Sequence, residues 1–149
     1  MKRPAPSITR RTLLDGSVVA AALPVLAWAN KETSMKVRLG FAGHNVTATL
    51  YDNPSARDFA SMLPLDLTFS DFPNEKIAYL PRKLNLEARG PFPNEAPGDL
   101  CYYIPWGNLA FFYGNYVSTR DLIRLGRIDG GVEPLLTRGE FPLHIERLS

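Results

Sequence analysis

Five residues have the side chains that a binding pocket draws on: Tyr79, Arg82, Trp106, Tyr113 and Arg127. Aromatic rings offer an apolar body with a polar tip, and an arginine offers a planar fork for a carbonyl or an anionic group. Trp106 is the most informative of the five. It sits in Pro105-Trp106-Gly107-Asn108, which is turn material between two apolar runs, and a ring at the end of a strand pair stands where a pocket wall forms. These five are read as ligand-binding residues, and no residue is read as catalytic. Asp99 and Asp129 have the chemistry for acid–base work, but each adjoins a glycine, where turn capping is the commoner role. Cys101 is the only cysteine, so no intramolecular disulfide forms, and a lone thiol reads as buried and inert. No set of His, Cys and carboxylates stands at metal-ligand spacing, and the G-x-S-x-G pattern of serine hydrolases is absent. Gly126–Gly131 lacks the Lys-Ser/Thr ending of a phosphate loop. No metal and no cofactor is expected.

The elements that position these residues read mostly as strands. Thirteen Pro and eleven Gly exclude a bundle of long helices, and two Trp, six Tyr and eight Phe favour a compact β-rich core. Met35–Phe41 alternates apolar and polar residues, Ala42–Asn45 is turn material, and Val46–Tyr51 alternates again, which predicts a hairpin. Asn53-Pro54 opens a helix as N-cap and first helical residue, Ala56, Phe59, Ala60 and Leu63 follow at helical spacing, and Pro64 stops it. Leu65–Phe69 and Glu75–Leu80 read as strands, and Leu84–Leu86 as a short one within a proline-rich excursion. Gly98–Tyr103 and Asn108–Tyr113 are apolar on both faces. A strand of that kind must be covered on both sides. Leu122–Ile128 and Phe141–Leu148 supply two more strands, with a helical turn over Val132–Leu136.

The first twenty-nine residues read as an address rather than as part of the fold. Arg10-Arg11 precedes the apolar stretch Val18–Ala29, and Ala27-Trp28-Ala29 places small residues where a signal peptidase needs them. The stretch is too short to hold the chain in a bilayer, which takes about 20 apolar residues. Thr9, Arg10, Arg11, Leu13 and Leu14 resemble a twin-arginine export signal, with Asp15 where that pattern often has Lys. The reading is therefore a signal peptide over 1–29, a short linker over 30–34, and one domain over 35–149. Four basic residues and one acidic residue lie in 1–29, which leaves 13 basic and 14 acidic in the rest. A nearly neutral domain has no electrostatic basis for binding nucleic acid.

Lys36–Tyr51, Leu80–Leu84, Gly98–Tyr113 and Leu125–Ile128 together resemble the small bacterial cyclophilin-like fold proteins over nearly all of residues 35–149. The run of Gly-Asp, Tyr-Tyr, Pro-Trp-Gly-Asn-Leu and Phe-Phe-Tyr is the most specific part. The resemblance implies a mainly β fold, a closed eight-stranded antiparallel β-barrel of cyclophilin-like type with one or two short helices. It does not carry over the prolyl isomerase segments Phe-His-Arg, Gln-Gly-Gly-Asp and Gln-Phe-Phe, none of which occurs here; Ala110 precedes Phe111-Phe112 where Gln would stand. Fold and function are separable. The leading expectation is an exported, non-enzymatic domain, periplasmic or secreted and without a permanent membrane anchor. It would bind a small molecule or peptide segment at one barrel mouth. An isomerase with a rebuilt site using Arg82 or Arg127 is the alternative, and a self-associating barrel, a homodimer through an apolar outer face, is the third.

The export reading predicts that the exported protein begins at Asn30 and that replacing Arg10 and Arg11 together by Lys blocks its export. N-terminal sequencing of the exported form tests this, and an intact Met1 on it would refute it.

Overall fold

The computed structural model describes residues 35–86 and 91–148. Arg10, Arg11, Ala27 and Ala29, and the signal peptide they define, lie outside the described residues.

Met35–Phe41 (β1) and His44–Leu50 (β2) form the predicted hairpin, but β2 starts two residues earlier than the alternation suggests. Phe41 pairs with His44 across a two-residue turn in which Ala42 and Gly43 both take positive φ, 47° and 79°. That turn twists in the same sense as the strands, so the ladder runs to its base. Pro54–Ser61 (α1) follows, with the Asn53 side chain accepting the Ala56 N–H at 2.8 Å. Leu65–Phe72 (β3) and Glu75–Tyr79 (β4) pair across Pro73-Asn74. Asp99–Tyr103 (β5) and Asn108–Phe112 (β6) are the two-sided strands, and Gly107 supplies the positive φ in the turn between them. Leu122–Ile128 (β7), a 3-10 turn over Glu133–Leu136 and Phe141–Arg147 (β8) complete the domain.

The strands close in the order β1-β2-β7-β5-β6-β4-β3-β8, all antiparallel, with β8 returning to β1. The expected eight-stranded barrel is the one observed. The short strand expected at Leu84–Leu86 is absent. Leu84 instead drops into the core, and its N–H donates to the Tyr102 hydroxyl at 3.3 Å. Pro81 nearby and the proline-rich stretch beyond it leave no ladder for this segment to join.

Alternation sends Val37, Leu39, Leu50, Phe69, Leu100, Tyr102, Leu109, Phe111, Leu143 and Ile145 inward, where all are buried. Neither end of the barrel is left open. At one end α1, held between the close of β2 and the start of β3, packs Ala56, Phe59 and Ala60 into the core. At the other, Phe41, Phe69 and Phe141 meet at ring separations of 5.0–6.3 Å. Lys76, fully buried there, lies over Phe141 and reaches Asp71 at 2.5 Å. Among the described residues no helix is long and apolar enough to cross a membrane.

One irregularity shapes the outer face. Between β5 and β7, Leu100 pairs with Gly126 but Cys101 pairs with Arg124, so Leu125 is an extra residue in a β-bulge. Beside the bulge, β7 runs close against β2, with Gly126 opposite Leu50. A Cβ at Gly126 would come within 2.3 Å of the Thr49 carbonyl oxygen, so only glycine fits there.

The two faces of β6 give a direct test. Phe111 points inward, edge-on to Phe69 at 5.0 Å, and Phe112 points outward under Tyr116, stacked at 3.7 Å. Phe111→Ala and Phe112→Ala should each cost about 3–5 kcal/mol in denaturant unfolding. A loss under about 1 kcal/mol for either would contradict its placement.

Candidate functional site

The apolar outer face of β5 and β6 is covered by two irregular segments, and one buried carboxylate ties them down. Asp99 is fully buried. Its oxygens accept from the Tyr116 hydroxyl at 2.7 Å, the Ala96 N–H at 3.0 Å and Arg127 at 3.2 Å, and Arg124 stands 3.5 Å away. Residues 91–97 and 113–118 are also joined directly, by Ser118 bonding both the N–H and the carbonyl of Phe92 and by the Ser118 N–H donating to Glu95. Cys101, Ala110, Phe112 and Leu122 form a second apolar cluster beneath them, with Phe92, Tyr103 and Tyr116 packed against it. Burial pushes the Cys101 thiol up to about 12, so it is no nucleophile at neutral pH.

Beside this cover the outer face opens into a cleft of about 470 Å³. Phe72, Tyr103, Trp106, Phe112 and Tyr116 supply its aromatic walls; Asn108, Val117, Thr119 and Leu122 line it further, and Glu75 and Asp121 are its charged residues. Trp106 folds back from the β5–β6 turn and meets Phe72 and Tyr103 edge-on, each at 5.5 Å. Trp106 and Phe72 remain 49% and 41% exposed, and Val117 is 78% exposed.

Glu75 has no ion pair or side-chain hydrogen bond among the described residues. It opens β4 on the outer face opposite Phe112, and burial pushes its carboxyl from 4.5 to about 7. A carboxyl that gains and loses its proton near neutrality, at the edge of an aromatic cleft, is chemically usable as a proton carrier or as a counter-charge. Among the described residues no group of three or more His, Cys, Asp or Glu is gathered to hold a metal ion.

The structure separates the five residues that the sequence singles out. Trp106 lines the cleft. Tyr79 lies at the far end of β4 and is 55% exposed, pairing with Asn108 but outside the lining. Tyr113 follows β6 at the opposite end from Trp106, and its hydroxyl donates to the Phe72 carbonyl at 3.3 Å. Arg82 grips Asp58 of α1 with two hydrogen bonds of 2.9 Å, which hold the Asp58 carboxyl below its usual range. Arg127 is spent on Asp99. Both arginines thus anchor loops. Asp129 likewise accepts from Thr47, Thr49 and Lys36 beyond the end of β7. Sequence reasoning missed Glu75, Phe72, Tyr103, Tyr116 and Asp121. Glu75 and Phe72 flank the β3–β4 turn, and two outward-facing residues beside a turn gave the only signal.

The raised Glu75 carboxyl has a consequence for stability. The folded state binds this proton more tightly than the unfolded chain, so its contribution to stability falls as pH rises from about 4.5 to about 7 and stays at the lower level above that. Glu75→Gln, neutral throughout, should change little at pH 4.5 and stabilise by on the order of 1–2 kcal/mol at pH 8, the cleft's contact with solvent reducing the full effect. Urea unfolding at the two pH values measures this, and an equal effect at both would show that Glu75 keeps its ordinary value.

The comparisons agree with this architecture. The Cyclophilin-like family matches residues 39–146. A hypothetical protein of the archaeon Archaeoglobus fulgidus, solved in solution, has a similar fold, with a TM-score of 0.65 and 19% identity over 78% of this chain and 96% of its own. No curated protein matches the chain. With its closed barrel and a match spanning β1 to β8, the chain belongs to the Cyclophilin-like family.

Proposed function

We propose that the domain is a non-enzymatic binding module that holds a small molecule or a short peptide segment in the outer-face cleft. The observation that carries this reading is the convergence of Phe72, Tyr103 and Trp106, two of them substantially exposed, around a concavity with a carboxyl at its edge. Rings of this kind would gain by covering one another or by collapsing inward. Here Trp106 touches Phe72 and Tyr103 only edge-on, from positions set by the β5–β6 and β3–β4 turns, and both Trp106 and Phe72 stay exposed. Preformed apolar walls with few polar groups are the usual construction of a ligand site. Both barrel ends are filled by side chains, which favours the outer face over a mouth.

Export is part of the same proposal and rests on the Arg10-Arg11 and Ala27–Ala29 patterns. The isomerase reading gains nothing from the cleft, which no arginine among the described residues lines, while Arg82 and Arg127 are held on Asp58 and Asp99.

Nuclear magnetic resonance titration with a set of small aromatic and apolar compounds and short peptides should shift the Trp106 indole and the amides of residues 72–75 and 116–121. Trp106→Ala should weaken that binding tenfold or more, about 1.4 kcal/mol. Acceleration of Ala-Pro isomerisation that disappears in Trp106→Ala would replace the binding reading with catalysis. A dimer that dissociates on the same substitution would make the cleft an interface.

A further inference from the structure

We infer that the cleft recognises a protonated amine, an alkyl- or arylammonium group. This inference rests on the binding reading above and names the ligand's chemistry. Three independent features of the lining point to it. The first is charge: Glu75 and Asp121 line the cleft, and among the described residues no Lys, Arg or His does. An anionic ligand would meet two carboxylates and no counter-ion.

The second feature is the arrangement of the rings. Trp106 stands at 90° to Phe72 and at 86° to Tyr103, each with centroids 5.5 Å apart. Rings set at right angles form a corner that can offer faces to one group from different sides. The face of an aromatic ring carries negative potential and attracts a cation, most strongly for Trp.

The third is an unmet hydrogen bond. The Asn108 side-chain oxygen is buried and has no partner, while its nitrogen is fixed on the Leu109 carbonyl at 2.9 Å. Asn108 is 1% exposed and lines the cleft. A buried carbonyl oxygen without a donor is costly, and a native fold rarely keeps one without a reason. A neutral hydrocarbon ligand would leave it unmet. An ammonium group with N–H bonds supplies the positive charge and the fit to the rings, and a turn of the Asn108 side chain toward the cleft would give its buried oxygen the missing donor.

The titration of Glu75 adds support. The other titratable groups near it are Tyr103 on β5, Tyr116 and Asp121 from the segment after β6, and Cys101 on β5. Tyr116 and Cys101 are held protonated well above neutrality by burial. An arriving cation favours the Glu75 carboxylate, so amine affinity should rise between pH 6 and pH 8.

The test compares three ligands that share a benzyl group on the purified protein: benzylamine, benzyltrimethylammonium and benzyl alcohol. At pH 8 benzylamine should bind at least tenfold tighter than benzyl alcohol, with benzyltrimethylammonium, a cation without N–H, between them. The advantage of benzylamine should shrink severalfold at pH 6, in Glu75→Gln, and separately in Asp121→Asn, each checked for an unchanged fold by its amide spectrum. Equal binding of benzylamine and benzyl alcohol at the cleft would overturn the amine inference and leave the binding reading intact. If none of the three binds, the amine inference is also overturned, and the binding reading stands or falls on the wider titration. The amine has two sources, a free small molecule or a peptide lysine. N-acetyl-lysine amide binding tighter than butylamine identifies the peptide, and the reverse order identifies the free amine.

Discussion

The fully buried carboxylate of Asp99 is the constraint on which the outer face depends. A carboxylate without water is tolerated only when its oxygens are met, and here a tyrosine hydroxyl, a backbone N–H and two arginines meet them. The four partners come from three places: Ala96 from the excursion before β5, Tyr116 from the segment after β6, and Arg124 and Arg127 from β7. Satisfying one charge therefore fixes three pieces of chain. Leaving such a buried ion unpaired costs on the order of 3–5 kcal/mol, a large part of a domain's total of about 5–15 kcal/mol. Tyr116, so fixed, stacks on Phe112 and becomes a wall of the cleft. The cleft is thus a by-product of how the sheet's second apolar face is covered.

The barrel was legible in the sequence because its signals are local. Alternation over Met35–Phe41 and Leu65–Phe69, the Asn53-Pro54 start of α1 and the Gly107 turn each declare themselves within a few residues. The two apolar faces of β6 correctly required two covers. What covers the outer one was not legible, because Tyr116 and Phe92 reach it through side-chain bonds between segments more than twenty residues apart. The same limit applies to the site. Glu75 reads as an ordinary charged residue opening a strand, and its burial exists only once Phe112 and Tyr116 are placed. Arg82 and Arg127 were conspicuous as donors, and the carboxylates that occupy them were invisible until the chain was folded.

The scaffold and the candidate site are differently built. Most residues of the barrel interior hold ladder positions on the eight strands, with α1 and Leu84 packed against them. The cleft takes Glu75, Asn108 and Phe112 from the sheet and Trp106, Val117, Thr119 and Asp121 from turns and loops. A rigid floor with walls drawn from connecting segments lets the lining vary without breaking a ladder hydrogen bond. The unmet Asn108 oxygen belongs to the floor.

The bulge in β7 has a bearing on how the chain assembles. Arg124 and Arg127 are three residues apart, a spacing that in a regular strand sends them to opposite faces. The extra residue at Leu125 absorbs the odd step and lets both reach Asp99 on the outside. If β7 slid by one residue against β5, or zipped up without the bulge, an arginine would point into a barrel packed with Leu100, Leu109 and Phe111. The two charges thus select one register for β7, because either slip would leave one of them among apolar side chains without its carboxylate.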